Sequence, residues 1–208
     1  MYFYWLGQSC LKIQVKSQDK NLTILTDPFD ATAGLKLSRL QADLVLYTND
    51  LDDPKHLVNI GGQPFVIDDP GEYDVKGIFV QGIESAHQGG NSLLYLLQAE
   101  NIYVAILGNL DHQLTAQELE VLEGADVVCL PVGGGDALGS SQAAAVVNQL
   151  EPRLIIPLRF GVKGIAKKYE GVEKFCQTMG VKREQADKLK VTTKELPSDE
   201  TKVVVLTI

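Results

Sequence analysis

Hydrophobic and polar positions alternate with a period of two near the start of the chain, where Leu11, Ile13 and Val15 are interleaved with Lys12, Gln14 and Lys16. Successive side chains of a strand point to opposite faces, so this alternation predicts a strand with one buried face and one wet face. Short runs rich in β-branched and aromatic residues recur at 2–6, 22–26, 44–47, 65–67, 78–83, 93–97 and 102–107. Gly7-Gln8-Ser9 and Ser17-Gln18-Asp19-Lys20 separate the first of them, and Asp68-Asp69-Pro70-Gly71-Glu72 reads as another tight turn. The first half is therefore expected to be an antiparallel meander with few helices.

From Leu114 the pattern changes. Thr115 followed by Glu118 is a capping-box signature, and Leu119 and Leu122 supply an apolar stripe, which predicts a helix over 116–123. Further on, 127–130 and 154–156 read as strands, 141–150 and 168–179 as helices, and 191–193 and 203–208 as closing strands. Strands outnumber helices, and the helices come late. Two facing sheets that bury their inner faces against each other satisfy this pattern: an α/β fold of the αββα sandwich type, with two mixed β-sheets and helices on the outer faces.

Composition narrows the picture. At 208 residues and 45% hydrophobic, with no linker-like segment, the chain reads as a single domain over 1–208. A net charge of −8 disfavours a nucleic-acid partner. The one basic stretch, Lys163 to Lys174, is interleaved with Glu170 and Glu173 and reads as the solvated face of a helix. Cys10, Cys129 and Cys176 are odd in number and widely spaced, as expected for reduced, buried thiols. The apolar start of the chain lacks a basic leader and reads as a strand, and no run is long enough to cross a bilayer. A cytoplasmic protein with no membrane partner follows, and a homo-oligomer is left open.

Candidate chemistry gathers around the stretch from Asp43 to Leu57, where the apolar run 44–47 leads into a loop carrying Asp50, Asp52 and Asp53 before Pro54. A buried strand delivers such a loop to the surface and holds it still. The acids lack the spacing of a calcium loop. Gly133-Gly134-Gly135-Asp136 lacks the Gly-Lys-[Ser/Thr] ending of a phosphate loop, although its amides, ahead of the 141–150 helix, can receive an anion together with Arg159. A Gly-x-Ser-x-Gly elbow is absent, which argues against a serine triad.

With Leu25-Thr26-Asp27-Pro28 upstream, and Leu130-Pro131-Val132-Gly133-Gly134-Gly135 and Ile156-Pro157 downstream, the chain resembles the metallo-β-lactamase superfamily. The resemblance is to the branch that includes ascorbate-6-phosphate lactonase-like metal-dependent hydrolases. It implies the αββα fold and a dinuclear metal site built around a Thr-His-x-His-x-Asp-His strand end. Here that segment is Thr48-Asn49-Asp50-Leu51-Asp52-Asp53-Pro54, so Asn49 and Leu51 stand at the paired histidine positions and only the carboxylate of Asp53 is kept. By the same carry-over, His87 is a kept ligand type, Asn109 replaces the bridging aspartate, Arg159 replaces the last histidine, and Gln8 stands where relatives carry histidine. Leucine has no lone pair to offer, an amide oxygen is a poor substitute for imidazole, and a guanidinium cannot ligate a cation.

The resemblance thus implies a degenerate, non-hydrolytic family member that binds no cofactor. Its former metal site would be a polar pocket of Gln8, Asp27, Asn49, Asp53, His87, Asn109 and Arg159, with Arg159 neutralising Asp53 by a bidentate pair. Such a pocket would take a small anionic molecule, or the protein would serve a protein partner. The alternative is a hydrolase of a lactone, phosphoester or related ester, with a single zinc or manganese ion held by Asp53, His87 and Asp27. His56 and His112 are expected at the surface or capping a turn, His112 just ahead of the 116–123 helix.

Overall fold

A computed structural model of the chain describes residues 1–49, 60–88 and 90–208. The chain opens with strands β1 (Tyr2–Gly7), β2 (Cys10–Ser17) and β3 (Lys20–Thr26), then β4 (Leu40–Gln41), β5 (Leu44–Leu46), β6 (Ile60–Gly61) and β7 (Phe65–Ile67). It continues through β8 (Gly71–Val75), β9 (Ile78–His87), β10 (Gly90–Ala99) and β11 (Ile102–Ile106). Helix α1 (Ala116–Leu122), β12 (Val127–Pro131), α2 (Ser140–Leu150), β13 (Leu154–Leu158) and α3 (Val172–Met179) alternate next. Strands β14 (Glu184–Ala186), β15 (Leu189–Lys190) and β16 (Lys202–Leu206) end the chain.

Among the described residues the strands form a six-stranded sheet, β15-β1-β2-β3-β5-β7, an eight-stranded sheet, β14-β16-β13-β12-β11-β10-β9-β8, and a small β4-β6 pair. Both large sheets mix parallel and antiparallel pairs. Leu11, Ile13, Ile24 and Leu44 from the first sheet share one apolar core with Leu94, Val104 and Ile106 from the second. Leu25, Val45 and Tyr47 alternate to the opposite face and form a second cluster with Ala42. Helix α1 packs on β9 and β10, α2 on β12, and α3 on α2. The expected αββα sandwich is the architecture found. Among the described residues no helix is long and apolar enough to cross a membrane.

Helix α1 follows from its cap. The Thr115 side chain accepts from the Glu118 N–H and the Glu118 carboxylate accepts from the Thr115 N–H, so two otherwise orphaned donors are satisfied reciprocally. Cys10, Cys129 and Cys176 are free and buried, as their spacing predicted.

The expected antiparallel meander holds over β1–β3 and again over β8–β11, but not between them. Strands β3, β5 and β7 pair in parallel, because the residues between β3 and β5 carry the chain back across the sheet before it re-enters. Nor does the 191–193 strand form. Val191 donates to the Met1 carbonyl at 3.0 Å, but Glu195 then closes a turn onto the Thr192 carbonyl at 3.0 Å, so the strand ends at Lys190. The basic stretch becomes helical only at Val172. Ahead of it, Gly161 and Glu170 spend their N–H groups on the Glu170 and Gly133 carbonyls, and Ala166 spends its own on Ala33. Strand β8 begins at Gly71, inside the segment expected to be a turn.

The sheets are also joined by a buried polar contact. Tyr95 on β10 directs its hydroxyl across the sandwich to the Tyr47 carbonyl at 2.6 Å, with the Ile67 carbonyl at 3.1 Å. Tyr95→Phe is expected to leave the fold intact and to lower the unfolding free energy by about 1–2 kcal/mol, since a buried acceptor loses its donor. Chemical denaturation should show this as a lower midpoint with an unchanged m-value.

Candidate functional site

Strands of both sheets deliver their C-terminal ends to one rim. Gln8 and Ser9 follow β1, Asp27 follows β3, Asn49 lies just beyond β5, Asn109 follows β11, and Arg159 follows β13. Together with Pro28, Phe29, Asp30, Thr32, Ala33, Tyr47, Ala166 and Lys167 they line a cavity of about 350 Å³. Gln8, Asp27 and Arg159 all hold positive φ, at 52°, 38° and 50°. Non-glycine residues visit this region at a cost of roughly 1–2 kcal/mol each, so the surrounding contacts must fix them there.

Two glycines let the rim close. A Cβ on Gly108 would lie 2.0 Å from Thr48 Oγ1, and one on Gly133 would lie 2.1 Å from the Arg159 carbonyl. Only a residue without a side chain allows either approach. Thr48, packed against Gly108, is fully buried and turns both its N–H and its hydroxyl onto Asp27, at 2.7 Å each.

Arg159 is 6% exposed. Its Nη2 donates to Asp136 Oδ1 at 2.8 Å and to the Tyr169 hydroxyl at 2.9 Å, and Tyr169 in turn donates to Gln8 Oε1 at 2.9 Å. Lys167 Nζ joins the same Asp136 carboxylate at 2.5 Å. Burial alone would raise the Asp136 pKa, but these two cations hold it below the usual carboxylate range. On the other wall, Asn109 Nδ2 donates to Asn49 Oδ1 at 2.5 Å, and Ser9 donates to Asn109 Oδ1 at 3.2 Å. Among the described residues the buried side-chain polar atoms without a partner are Arg159 Nε and Tyr47 Oη, and both residues line this cavity.

Five of the seven residues expected from the sequence therefore meet: Gln8, Asp27, Asn49, Asn109 and Arg159. Asp53 lies outside the described residues, as do Leu51 and His56. The expected ion pair of Arg159 with Asp53 thus lies outside the described residues; among those, Arg159 pairs with Asp136 through a single nitrogen. His87 is not among the residues lining the cavity. Its Nε2 sits 2.9 Å from the Asp136 carbonyl oxygen and 3.9 Å from Asp111 Oδ2. His112, expected at the surface or capping a turn ahead of α1, is partly covered and bridges Asp111 at 3.0 Å and Glu118 at 3.2 Å. Glu118 is buried. That burial would raise its pKa, but hydrogen bonds from Ser85 and Thr115 and the His112 charge hold it low.

Sequence reasoning missed Asp136 as the partner of Arg159 and missed Tyr169 entirely. Asp136 had a signal in the preceding glycines. Tyr169 had none, because the loop that carries it is fixed by contacts with Gly133 and Ala33 that lie far off in sequence.

Residues 2–159 match the model of the β-lactamase superfamily domain. The chain belongs to this family. A candidate Zn-dependent hydrolase of the metallo-β-lactamase superfamily from Thermotoga maritima is similar over 99% of this chain and 97% of its own, with 30% identity and a TM-score of 0.82. A metallo hydrolase from Ignicoccus hospitalis shares the fold over 99% of this chain and 94% of its own, at 17% identity and a TM-score of 0.61. So does a candidate metal-dependent hydrolase from Parabacteroides distasonis, over 85% of this chain and 87% of its own, at 18% identity and a TM-score of 0.60. In this member of the β-lactamase superfamily, the described part of the cavity offers three neutral amides, the carboxylates of Asp27 and Asp30, and the cations of Arg159 and Lys167, a set in which only the two acids are good ligands for a divalent ion. Among the described residues, no three His, Cys, Asp or Glu side chains are grouped so as to hold a metal.

Asp27 is the titratable acid at the centre of the site. Burial raises its pKa from 3.8 to about 6, against the opposing pull of the two Thr48 hydrogen bonds and the Arg159 charge. The folded protein therefore keeps a proton that the unfolded chain releases near pH 4, and stability falls as pH rises between these values and levels off above 6. This term is on the order of 3 kcal/mol. Denaturation measured from pH 4 to 7 should show a decline in the wild type that Asp27→Asn lacks.

Proposed function

We propose that this family member is non-hydrolytic and uses the rim cavity to bind a small anionic ligand, with Arg159 supplying the charge. The observation that carries this reading is the state of the guanidinium. It is buried, it lies over the Tyr169 ring, and among the described residues it hydrogen-bonds through Nη2 while its Nε lacks a partner. A buried donor without an acceptor costs about 1–3 kcal/mol, and a ligand oxygen recovers that energy. Lys167 adds a second cation to the lining. Where the resemblance would place an imidazole and a bridging carboxylate, Asn49 and Asn109 bond to each other.

The rival reading is a metal-dependent ester or lactone hydrolase. The 30% identity to the candidate Zn-dependent hydrolase from Thermotoga maritima favours it. In that case Asp53, His87 and Asp27 would hold one divalent ion, which would supply Lewis-acid chemistry.

One preparation tests both. Elemental analysis of protein purified without chelator is expected to find only substoichiometric zinc and manganese. Thermal-shift titration is expected to find stabilisation by small carboxylates or phosphate, growing to about 2.7 kcal/mol at a hundred times Kd. Arg159→Met should abolish it. Stoichiometric, tightly held metal would overturn the proposal in favour of the hydrolase.

A further inference from the structure

The hydrogen-bonding groups of the cavity are unevenly matched, and the imbalance defines the ligand. Its side-chain acceptors already have donors. Asp27 receives two hydrogen bonds from Thr48, and Asp30 receives Thr32 N–H at 2.8 Å. Gln8 Oε1 receives Tyr169, Asn109 Oδ1 receives Ser9, and Asn49 Oδ1 receives Asn109. Among the described residues the unmatched capacity is mainly on the donor side. Arg159 Nε is buried without a partner, and so is Tyr47 Oη, which can donate or accept. Because Tyr169 fixes Gln8 by its oxygen, the amide nitrogen of Gln8 is left as a donor. A molecule that brings acceptor oxygens gains these bonds. One that brings many hydroxyl or amino donors must compete with Thr48, Thr32, Ser9 and Tyr169 for acceptors already in use.

The remaining wall is apolar. Pro28, Phe29 and Ala33 come from the segment after β3, and Ala166 comes from the loop ahead of α3. At about 350 Å³ the cavity lies near the lower end of the roughly 300–1,000 Å³ typical of small-molecule sites. The two cations of the site, Arg159 and Lys167, share Asp136, and Asp27 and Asp30 add two further carboxylates to the lining. A dianion would meet those acids at greater cost than a monoanion.

We infer that the ligand is a small monocarboxylate on a short aliphatic or aromatic body without hydrogen-bond donors, an inference that rests on the anion-binding reading above. The carboxylate takes the free donors of Arg159, Tyr47 and Gln8, and the body lies on Phe29, Pro28 and Ala33.

Isothermal titration of the full chain with butyrate, benzoate, gluconate and inorganic phosphate tests this. Butyrate and benzoate should bind at least about tenfold more tightly than gluconate, which has the same charge and group but a hydroxylated body. Phe29→Ser should narrow that gap. Tyr47→Phe, which only removes a buried hydroxyl, should weaken benzoate by about tenfold even if Arg159→Met fails to fold. Gluconate or phosphate binding as tightly as benzoate would overturn the inference while leaving anion binding in place. If none of the four binds, both readings fall.

Discussion

The inner faces of the two large sheets have no route out of water except against each other, and most features of this protein follow from that constraint. Leu11, Ile13, Ile24 and Leu44 on one side meet Leu94, Val104 and Ile106 on the other, all fully buried. Side chains of this kind each contribute roughly 1.5–3 kcal/mol on burial, so the shared interface outweighs any single polar contact in the chain. The Tyr95 hydroxyl adds registry. It commits β10 to a particular height against β5 and β7, because its acceptors are backbone carbonyls of Tyr47 and Ile67.

Once the sheets are stacked, the carboxyl ends of β3, β5, β11 and β13 have to open onto a common rim. Their connecting segments are the places where the backbone is free of the ladders and can adopt other conformations. Gln8, Asp27 and Arg159 adopt positive φ there, and Gly108 and Gly133 permit approaches that no Cβ would tolerate. The rigid core tolerates this local cost and so presents side chains in fixed directions.

At that rim the chemistry is a chain of hydrogen bonds with few loose ends. Asp136 gathers Arg159 and Lys167, Tyr169 passes from Arg159 to Gln8, and the amides of Asn49 and Asn109 close on each other. The loop ahead of α3 is held into this arrangement through its own backbone, which is why the lysines in it are not helical. A basic run that looks like one helix face in sequence is thus divided between a loop over the cavity and the exposed turns of α3.

Much of this was legible in the residues. Period-two alternation, short β-branched runs, the Thr115–Glu118 cap and the apolar content were compatible with the sandwich, and the resemblance to the metallo-β-lactamase superfamily singled it out. The resemblance to the metallo-β-lactamase superfamily marked positions 8, 27, 49, 109 and 159 as one site, and each of them follows an apolar strand. What the linear pattern could not carry was pairing between distant segments. The parallel order of β3, β5 and β7, the ion pair of Arg159 with Asp136, the place of Tyr169 and the separation of His87 from the cavity lining depend on contacts tens of residues apart. Local sequence sets which groups are available to bond. Only the closed tertiary structure, in which buried polar groups must find partners or remain without them, decided which of those bonds are made.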